Sequence, residues 1–288
     1  MKPNLQMAMT PRLALILTVW LAVTGFASLE ALFAPKADLW DRWQAHDPGS
    51  NSAIDHSPWD RLLKTYLTPR EGNFNAFDYA GVTPADKKAL KAYVDNLAAT
   101  SVSRLNRAEQ MAFWINLYNA LTISVVLDHW PVSSIRDIDI SPGLFADGPW
   151  AKKLVTIEDQ EVSLNDIEHR ILRPIWKDAR IHYAVNCASI GCPDLAPKAY
   201  RATTLNADLD SAAVAYINDA RGARFDPQGD LVVSKIYTWF VDDFGGSTET
   251  VLAHLRRYAQ GTKRGQLEKT QAILGHDYDW RINAPSRP

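Results

Sequence analysis

Cysteine is nearly missing from this chain. Two thiols, Cys187 and Cys192, stand among 288 residues, so at most one bridge can form and no disulfide framework braces the fold. Basic runs are missing as well, with 31 Lys and Arg set against 33 Asp and Glu. Without a cationic stripe, nucleic-acid binding by phosphate neutralisation is not expected. After Ala27 no stretch reads as apolar for long enough to cross a bilayer, which takes about 20 residues. There is no Walker loop, no dinucleotide-binding glycine fingerprint and no Gly-x-Ser-x-Gly elbow, so no cofactor is expected and Ser189 is not read as a nucleophile. Internal repeats and low-complexity tracts are absent too.

What is present begins with a leader. Lys2 and Arg12 precede an uncharged stretch over residues 13–27, and Gly25-Phe26-Ala27 gives a small-x-small exit. This pattern describes a secretory signal peptide over residues 1–27 and predicts a periplasmic or secreted protein. The alternative is an uncleaved N-terminal anchor, the one way a membrane enters the reading. Removal of residues 1–27 takes away two cations and moves the formal charge from −2 to −4. The remaining roughly 260 residues can bury a core as one large domain or two lobes. Ten tryptophans spread from end to end point to a packed globule. Residues 28–56 read as an irregular lead-in arm, followed by a single domain over 57–285.

Helix starts are written plainly. Ser57-Pro58-x-Asp60 opens a helix to about 67, and Thr83-Pro84-x-Asp86 opens another to about 99. Asn106-x-x-Glu109 opens the longest, to about 129, and Ser163-x-x-Asp166 a fourth. The third is apolar nearly all round, from Met111 to Val126, which marks a helix buried by its neighbours. Asn116 and Asn119 interrupt it and need hydrogen-bond partners. Residues 153–157 and 160–162 flank Glu158-Asp159 as a hairpin, and 224–225 with 231–233 flank Pro227-Gln228-Gly229 as a second. Residues 180–186 read as a strand. Further helices are expected over about 206–221, 235–244 and 248–259. Helices lead and strands come as hairpins, so the fold class is α+β: helix-rich, with a buried central helix and a small, mainly antiparallel sheet. The loop 133–152 is too long for a simple connector and is a candidate cover for a site.

Chemistry concentrates in two segments. On the helix from Leu164 to Trp176, Glu168 falls in the middle of the apolar face and His169 on its edge. A carboxylate aimed at a core is costly, so Glu168 either pairs with an arginine or sits beside a reacting group with a shifted pKa. In the second segment, His182 alternates with Ala184 and Asn186. On an extended strand it lies ~16 Å from Cys187 and points to the opposite face, which leaves His169 freer to act as base. Cys187 has three readings: a buried inert thiol, a disulfide partner of Cys192 across the Gly191 turn, or a nucleophile activated by histidine. Cys192 resolves or pairs rather than attacks. A zinc site from His169, His182, Cys187 and Cys192 can be drawn, but the spacing is not diagnostic and no metal is expected.

Four blocks carry a resemblance. They are Ala112-Phe113-Trp114-Ile115-Asn116-Leu117-Tyr118-Asn119-Ala120-Leu121, Ser163-Leu164-Asn165-Asp166-Ile167-Glu168-His169-Arg170-Ile171-Leu172-Arg173, His182-Tyr183-Ala184-Val185-Asn186-Cys187-Ala188-Ser189-Ile190-Gly191-Cys192-Pro193, and Lys235-Ile236-Tyr237-Thr238-Trp239-Phe240-Val241-Asp242-Asp243-Phe244. In this order, over about residues 75–245, the chain resembles the DUF547 family, a domain of unknown function found in bacteria and plants. Exported bacterial members look like this one, a signal peptide followed by the domain alone. Plant members carry the domain behind a coiled coil and are discussed as interaction proteins. The family's motif chemistry resembles a thiol site, although glutamate and histidine precede cysteine here, unlike papain-like and transglutaminase-like enzymes.

Three functional readings follow. In the first, Cys187 attacks an acyl carbon and His169 takes its proton. Glu168, His182, Asn116 or Asn119 then orient the base or stabilise the oxyanion. The protein is then a thiol hydrolase or acyltransferase acting on an amide or ester in a small molecule, peptide, cell wall or lipid. In the second it is a non-enzymatic binding module stapled by a Cys187–Cys192 bridge. In the third the two sulfurs are a redox pair.

Overall fold

Capping chemistry sets the order of elements. In the computed structural model, which describes residues 34–69, 75–143 and 147–285, helix α1 spans Ser57–Tyr66. The segment read as a signal peptide, residues 1–27, and the start of the lead-in arm lie outside the described residues. Ser57 opens α1 but does not cap it; the Asp55 carboxylate accepts the Ser57 N–H at 2.8 Å instead. Helix α2 (Pro84–Ala98) is capped by the Thr83 hydroxyl, which accepts the Asp86 N–H at 3.1 Å. Helix α3 (Arg107–His129) is capped by Asn106, whose side-chain oxygen accepts the Glu109 N–H at 3.0 Å. Each such cap satisfies an amide that the first turn leaves unpaired, worth about 1 kcal/mol.

The central helix is α3, and every residue from Glu109 to Ile123 is buried. Its length and hydropathy match those of a bilayer span, which corrects the reading that no such stretch follows Ala27. Burial on all sides identifies it as a core helix.

Strands are short. β1 (Leu67–Pro69) pairs antiparallel with β2 (Asn75–Phe77), and β3 (Lys153–Ile157) with β4 (Gln160–Ser163). The two-residue turn between β3 and β4 places Glu158 and Asp159 at φ 44° and 63°, the left-handed pair that suits the twist of a tight hairpin. β5 (Ala223–Phe225) pairs antiparallel with β6 (Leu231–Ser234), and β7 (Gly275–Asp277) adds to β6 in parallel. The fold is α+β, with small, mainly antiparallel sheets around a helical core. Helices α4 (Leu205–Asn218), α5 (Thr248–Tyr258) and α6 (Gly261–Lys269) complete it. α4 ends three residues earlier than expected, and α6 carries too little apolar periodicity to be foreseen.

Two segments depart from expectation. Residues 180–186 are not a strand: Ile181–Ala184 form one helical turn, and the chain becomes extended only at Val185. All four residues of that turn are buried, so no polar face was present to reveal the period. The helix expected over 235–244 is split into a turn at Ile236–Trp239 and a 3-10 turn at Val241–Phe244. Phe240 leaves the helical region between them.

The apolar core gathers in two clusters. One surrounds α1, α2 and α3; the other is built from α4, α5, β5 and β6. Tyr183 belongs to the second cluster, while Ala184 and Val185 belong to the first. The turn 181–184 therefore lies on the seam, with Cys187 just beyond it.

Candidate active site

At this seam opens a cleft of about 700 Å³. Glu168, His169, His182, Cys187 and Cys192 all line it. Its walls are aromatic, with Trp150, Trp239, Tyr278 and Trp280 among them, a common composition for a ligand pocket. The long loop 133–152 contributes Arg136, Ser141, Asp147 and Trp150 to the rim, though its residues 144–146 lie outside the described residues.

The segment carrying Cys187 is held from both sides. Asn119 donates to the Ala184 carbonyl at 2.9 Å and accepts the Asn186 N–H at 2.8 Å, bridging the end of the helical turn. Asn186 in turn accepts the Ala188 N–H at 2.9 Å and donates to the Pro193 carbonyl at 2.7 Å, closing the cysteine loop. Ala188 sits at φ 60°, a left-handed conformation unusual for a residue with a Cβ. Across the loop runs residues 278–283 as a strap. Gly191 donates to Asp279 at 2.8 Å, Ile190 to Arg281 at 2.8 Å, and the Ala188 carbonyl accepts from Asn283 at 3.0 Å. Gly191 is required here, since a Cβ at that position would lie 2.7 Å from the Asp279 nitrogen.

The strap brings Tyr278 to the thiol. Cys187 Sγ lies 3.0 Å from the Tyr278 hydroxyl, 3.2 Å from the Ser189 hydroxyl and 3.0 Å from Cys192 Sγ. Both cysteines are free thiols at this separation, against about 2.05 Å in a disulfide. Donation by the Cys192 thiol lowers the Cys187 pKa most. Burial opposes it, the Ser189 and Tyr278 hydroxyls and the Ser189 N–H add to it, and Cys187 is held at about 7. Burial pushes the Cys192 thiol well up, and its hydrogen bond to Cys187 pushes further the same way. One thiol is thus poised to ionise near neutrality, and its neighbour keeps its proton.

Across the cleft stands a polar array. Residues Asp166–Leu172 form a π-helical stretch, opened by a reciprocal Ser163/Asp166 cap. Its wide turn brings consecutive residues closer in azimuth, so Glu168 and His169 both reach the cleft; such bulges recur at functional sites. No arginine pairs with Glu168 among the described residues. Its Oε1 lies 3.9 Å from His169 Nδ1 and 3.8 Å from His182 Nδ1. His182 stacks on Phe240 at 4.4 Å and donates through Nε2 to Asp243 at 2.7 Å. Arg173 donates to the same Asp243 oxygen at 2.5 Å and to His169 Nδ1 at 2.9 Å, while its guanidinium covers Phe240. Burial disfavours the Asp243 charge, but the bonds from His182 and Arg173 outweigh it and hold the carboxyl at about 2. Burial lowers His169 to about 4 against the pull of Glu168.

The expected residues therefore meet only in part. No histidine lies within hydrogen-bond reach of Cys187 Sγ among the described residues, so His169 is not its proton acceptor in this geometry. Its Nδ1 is occupied by Arg173. The expectation that His182 and Cys187 point apart fails because the helical turn replaces the strand. Asn116 and Asn119 do not line the cleft. Asn116 is spent on the Tyr200 backbone, at 2.8 and 3.0 Å, and on His56. Asn119 acts on the backbone that carries Cys187, a positioning role. Among the described residues no group of three His, Cys, Asp or Glu side chains is placed to hold a metal.

Sequence reading missed Tyr278, Trp280, Arg173 and Asp243 as parts of the site, whereas Trp150 stands in the loop 133–152 that it marked as a candidate cover. Arg173 and Asp243 stand inside the blocks quoted above, and a buried Glu168 beside two histidines was a signal to look for their charge partners. Tyr278 had no such signal, because it reaches Cys187 from 91 positions away.

No curated protein and no solved structure matches the chain. A family model does match, over residues 102–217, a span that holds α3, the π-helical stretch and both cysteines. The match is to the family described as Protein of unknown function, DUF547, and over residues 102–217 the chain is similar to that family.

Proposed function

We propose that the protein is a thiol-dependent hydrolase or acyltransferase acting on an amide or ester, with Cys187 as nucleophile. One observation carries this reading: a half-buried thiol on the wall of a large cleft, ringed by hydroxyl and thiol donors that hold it at about 7. A thiolate stabilised in this way needs no histidine to take its proton before attack. The sulfur adds to the acyl carbon and a thioester forms. The amine or alcohol departs with a proton from the polar array across the cleft. Water or a second acceptor then attacks the thioester and returns its proton to that array, and Cys187 leaves as thiolate. The aromatic walls suit an apolar or flat substrate flank, and the leader pattern over residues 1–27 favours a substrate outside the cytoplasm.

The test is acylation. Incubation with a β-lactone acyl probe should give one thioester adduct, mapped by mass spectrometry to Cys187. Cys187→Ala should lose the adduct while its melting temperature stays within a few degrees of the parent. Ready alkylation of Cys187 by iodoacetamide, with no acylation by any ester or thioester donor, would defeat the proposal.

The 3.0 Å approach of the two sulfurs favours a second reading, a dithiol redox pair. In that chemistry Cys187 attacks a disulfide substrate and Cys192 resolves the mixed disulfide. Two electrons pass to the substrate, which leaves as a dithiol. Equilibration in glutathione buffers reads it directly, through the fraction of bridged protein.

A further inference from the structure

We infer that the two cleft histidines hold opposite and fixed roles: His182 exchanges the proton through Nδ1, and His169 offers a permanent Nε2–H to the substrate oxygen that gains charge. This deepens the acyl-transfer reading above and rests on it for the catalytic half, but the tautomers themselves follow from hydrogen-bond partners alone.

A guanidinium has five N–H donors and no lone pair to offer. Arg173 Nη1 meets His169 Nδ1 at 2.9 Å, so that nitrogen must be the acceptor, and the ring proton must sit on Nε2. Arg173 is itself fixed by two other acceptors, Asp243 at 2.5 Å and the Pro35 carbonyl at 2.7 Å, and cannot turn away. His169 is therefore locked as an N–H donor. No described side chain takes that N–H, and the residue lines the cleft. A neutral imidazole pinned in this way serves as an electrophile rather than a base.

His182 is pinned from its other nitrogen. Asp243 is a carboxylate that accepts from Arg173 and from His182 Nε2 through one oxygen, so Nε2 carries the proton. Only Nδ1 is left to gain or lose one. An aspartate behind an imidazole is the arrangement that orients a general base and steadies the imidazolium it becomes. Glu168 faces Nδ1 at 3.8 Å, beyond hydrogen-bond range, and so does not capture its proton. The charged and titratable groups around the ring are Asp243, Glu168, Arg173, His169 and His254, while Phe240 and Phe244 cover its faces.

Two arms test the assignment. In protein labelled with 15N-histidine, long-range proton–nitrogen spectra, assigned with His169→Gln and His182→Gln, read each tautomer without any substrate. The expected result is an Nε2–H neutral ring for His169 from pH 5 to 8. For His182, the Nε2–H to Asp243 should be retained, leaving Nδ1 as the nitrogen open to proton exchange. In the second arm, acyl transfer from the β-lactone probe is followed against pH. His169→Gln keeps a donor and should retain a tenth or more of the rate, whereas His169→Leu should lose roughly a hundredfold, as when one oxyanion donor is removed. His182→Gln should lose the pH dependence of thioester breakdown. A proton on His169 Nδ1, or loss of that pH dependence in His169→Gln but not in His182→Gln, overturns the assignment. If no acylation occurs in any variant, the proposed function fails, and the spectra still decide the tautomers.

Discussion

Cys187 differs from an ordinary thiol through its neighbours rather than through a base. Every group that lowers it is a neutral donor, and removing a donor to a thiolate raises its pKa. Tyr278→Phe deletes one donor, and a hydrogen bond to a charged partner is worth about 1.5–3 kcal/mol, or on the order of one pH unit. The midpoint of iodoacetamide alkylation against pH should rise from about 7 toward 8 in Tyr278→Phe, and further in Cys192→Ala, whose lost thiol lowers Cys187 most. An unchanged midpoint in both variants would mean that these contacts do not set the thiol. At this scale the sequence was informative about identity and poor about partnership. Five of the residues singled out from their chemistry line one cleft, yet His169, expected beside Cys187 as its base, meets Arg173 there instead. Its tautomer depends on Arg173, four residues along the helix, and no residue pattern announces which nitrogen such a neighbour will take.

The elements that matter most are the π-helical stretch, the turn at 181–184 and the strap over 278–283. The strap touches the cysteine loop where Gly191 leaves no space for a side chain, with Tyr278 Cγ only 3.0 Å from the position of a Cβ. Gly191→Ala forces the two backbones apart at an overpacking cost of about 1–3 kcal/mol. It should also withdraw Tyr278 from Cys187. Urea unfolding should give the stability loss, and alkylation of the folded variant should show the same upward shift as Tyr278→Phe. A loss of stability with the alkylation midpoint fixed at about 7 would separate the strap from the thiol. Long helices were legible because caps and periodicity are local: Thr83 and Asn106 mark their helices as the sequence indicates. The turn at 181–184 was not, since a fully buried run of that length fits a strand or a helix equally well. The strap was hidden for a different reason. Its partners include the cysteine loop, Phe77, Tyr79, Ser133 and Ser134, all far away in the chain, and its mixed aromatic and charged residues have no period.

For the whole molecule, acid is the informative variable. Burial holds His56, His169 and His254 each at about 4, below the 6.5 of an unfolded histidine. Between those values the unfolded chain binds more protons than the folded one, so stability is full above pH 6.5 and falls as the pH drops toward 4. Each histidine accounts for up to about 3 kcal/mol across that window. Asp243, held at about 2, takes over below it: its contribution is present above about 3.8 and is lost as the pH falls through 2. Melting temperatures should therefore decline steadily from pH 6.5 to 4, and replacing His254 with Gln should flatten the slope. A flat profile over that range would be incompatible with three buried neutral rings. The α+β class and the burial of α3 were readable at this scale, because they depend on composition and period. The meeting of two apolar clusters along a seam was not, because nothing local in Tyr183 or Ala184 says that they belong to different ones.

The separation of Tyr278 from Cys187 along the chain also bears on biosynthesis. While a ribosome is still working through the intervening residues, the sulfur has emerged but its phenolic neighbour has not been made. An incomplete chain thus lacks one of the donors that set the sulfur, and the full complement arrives only when translation has passed the strap.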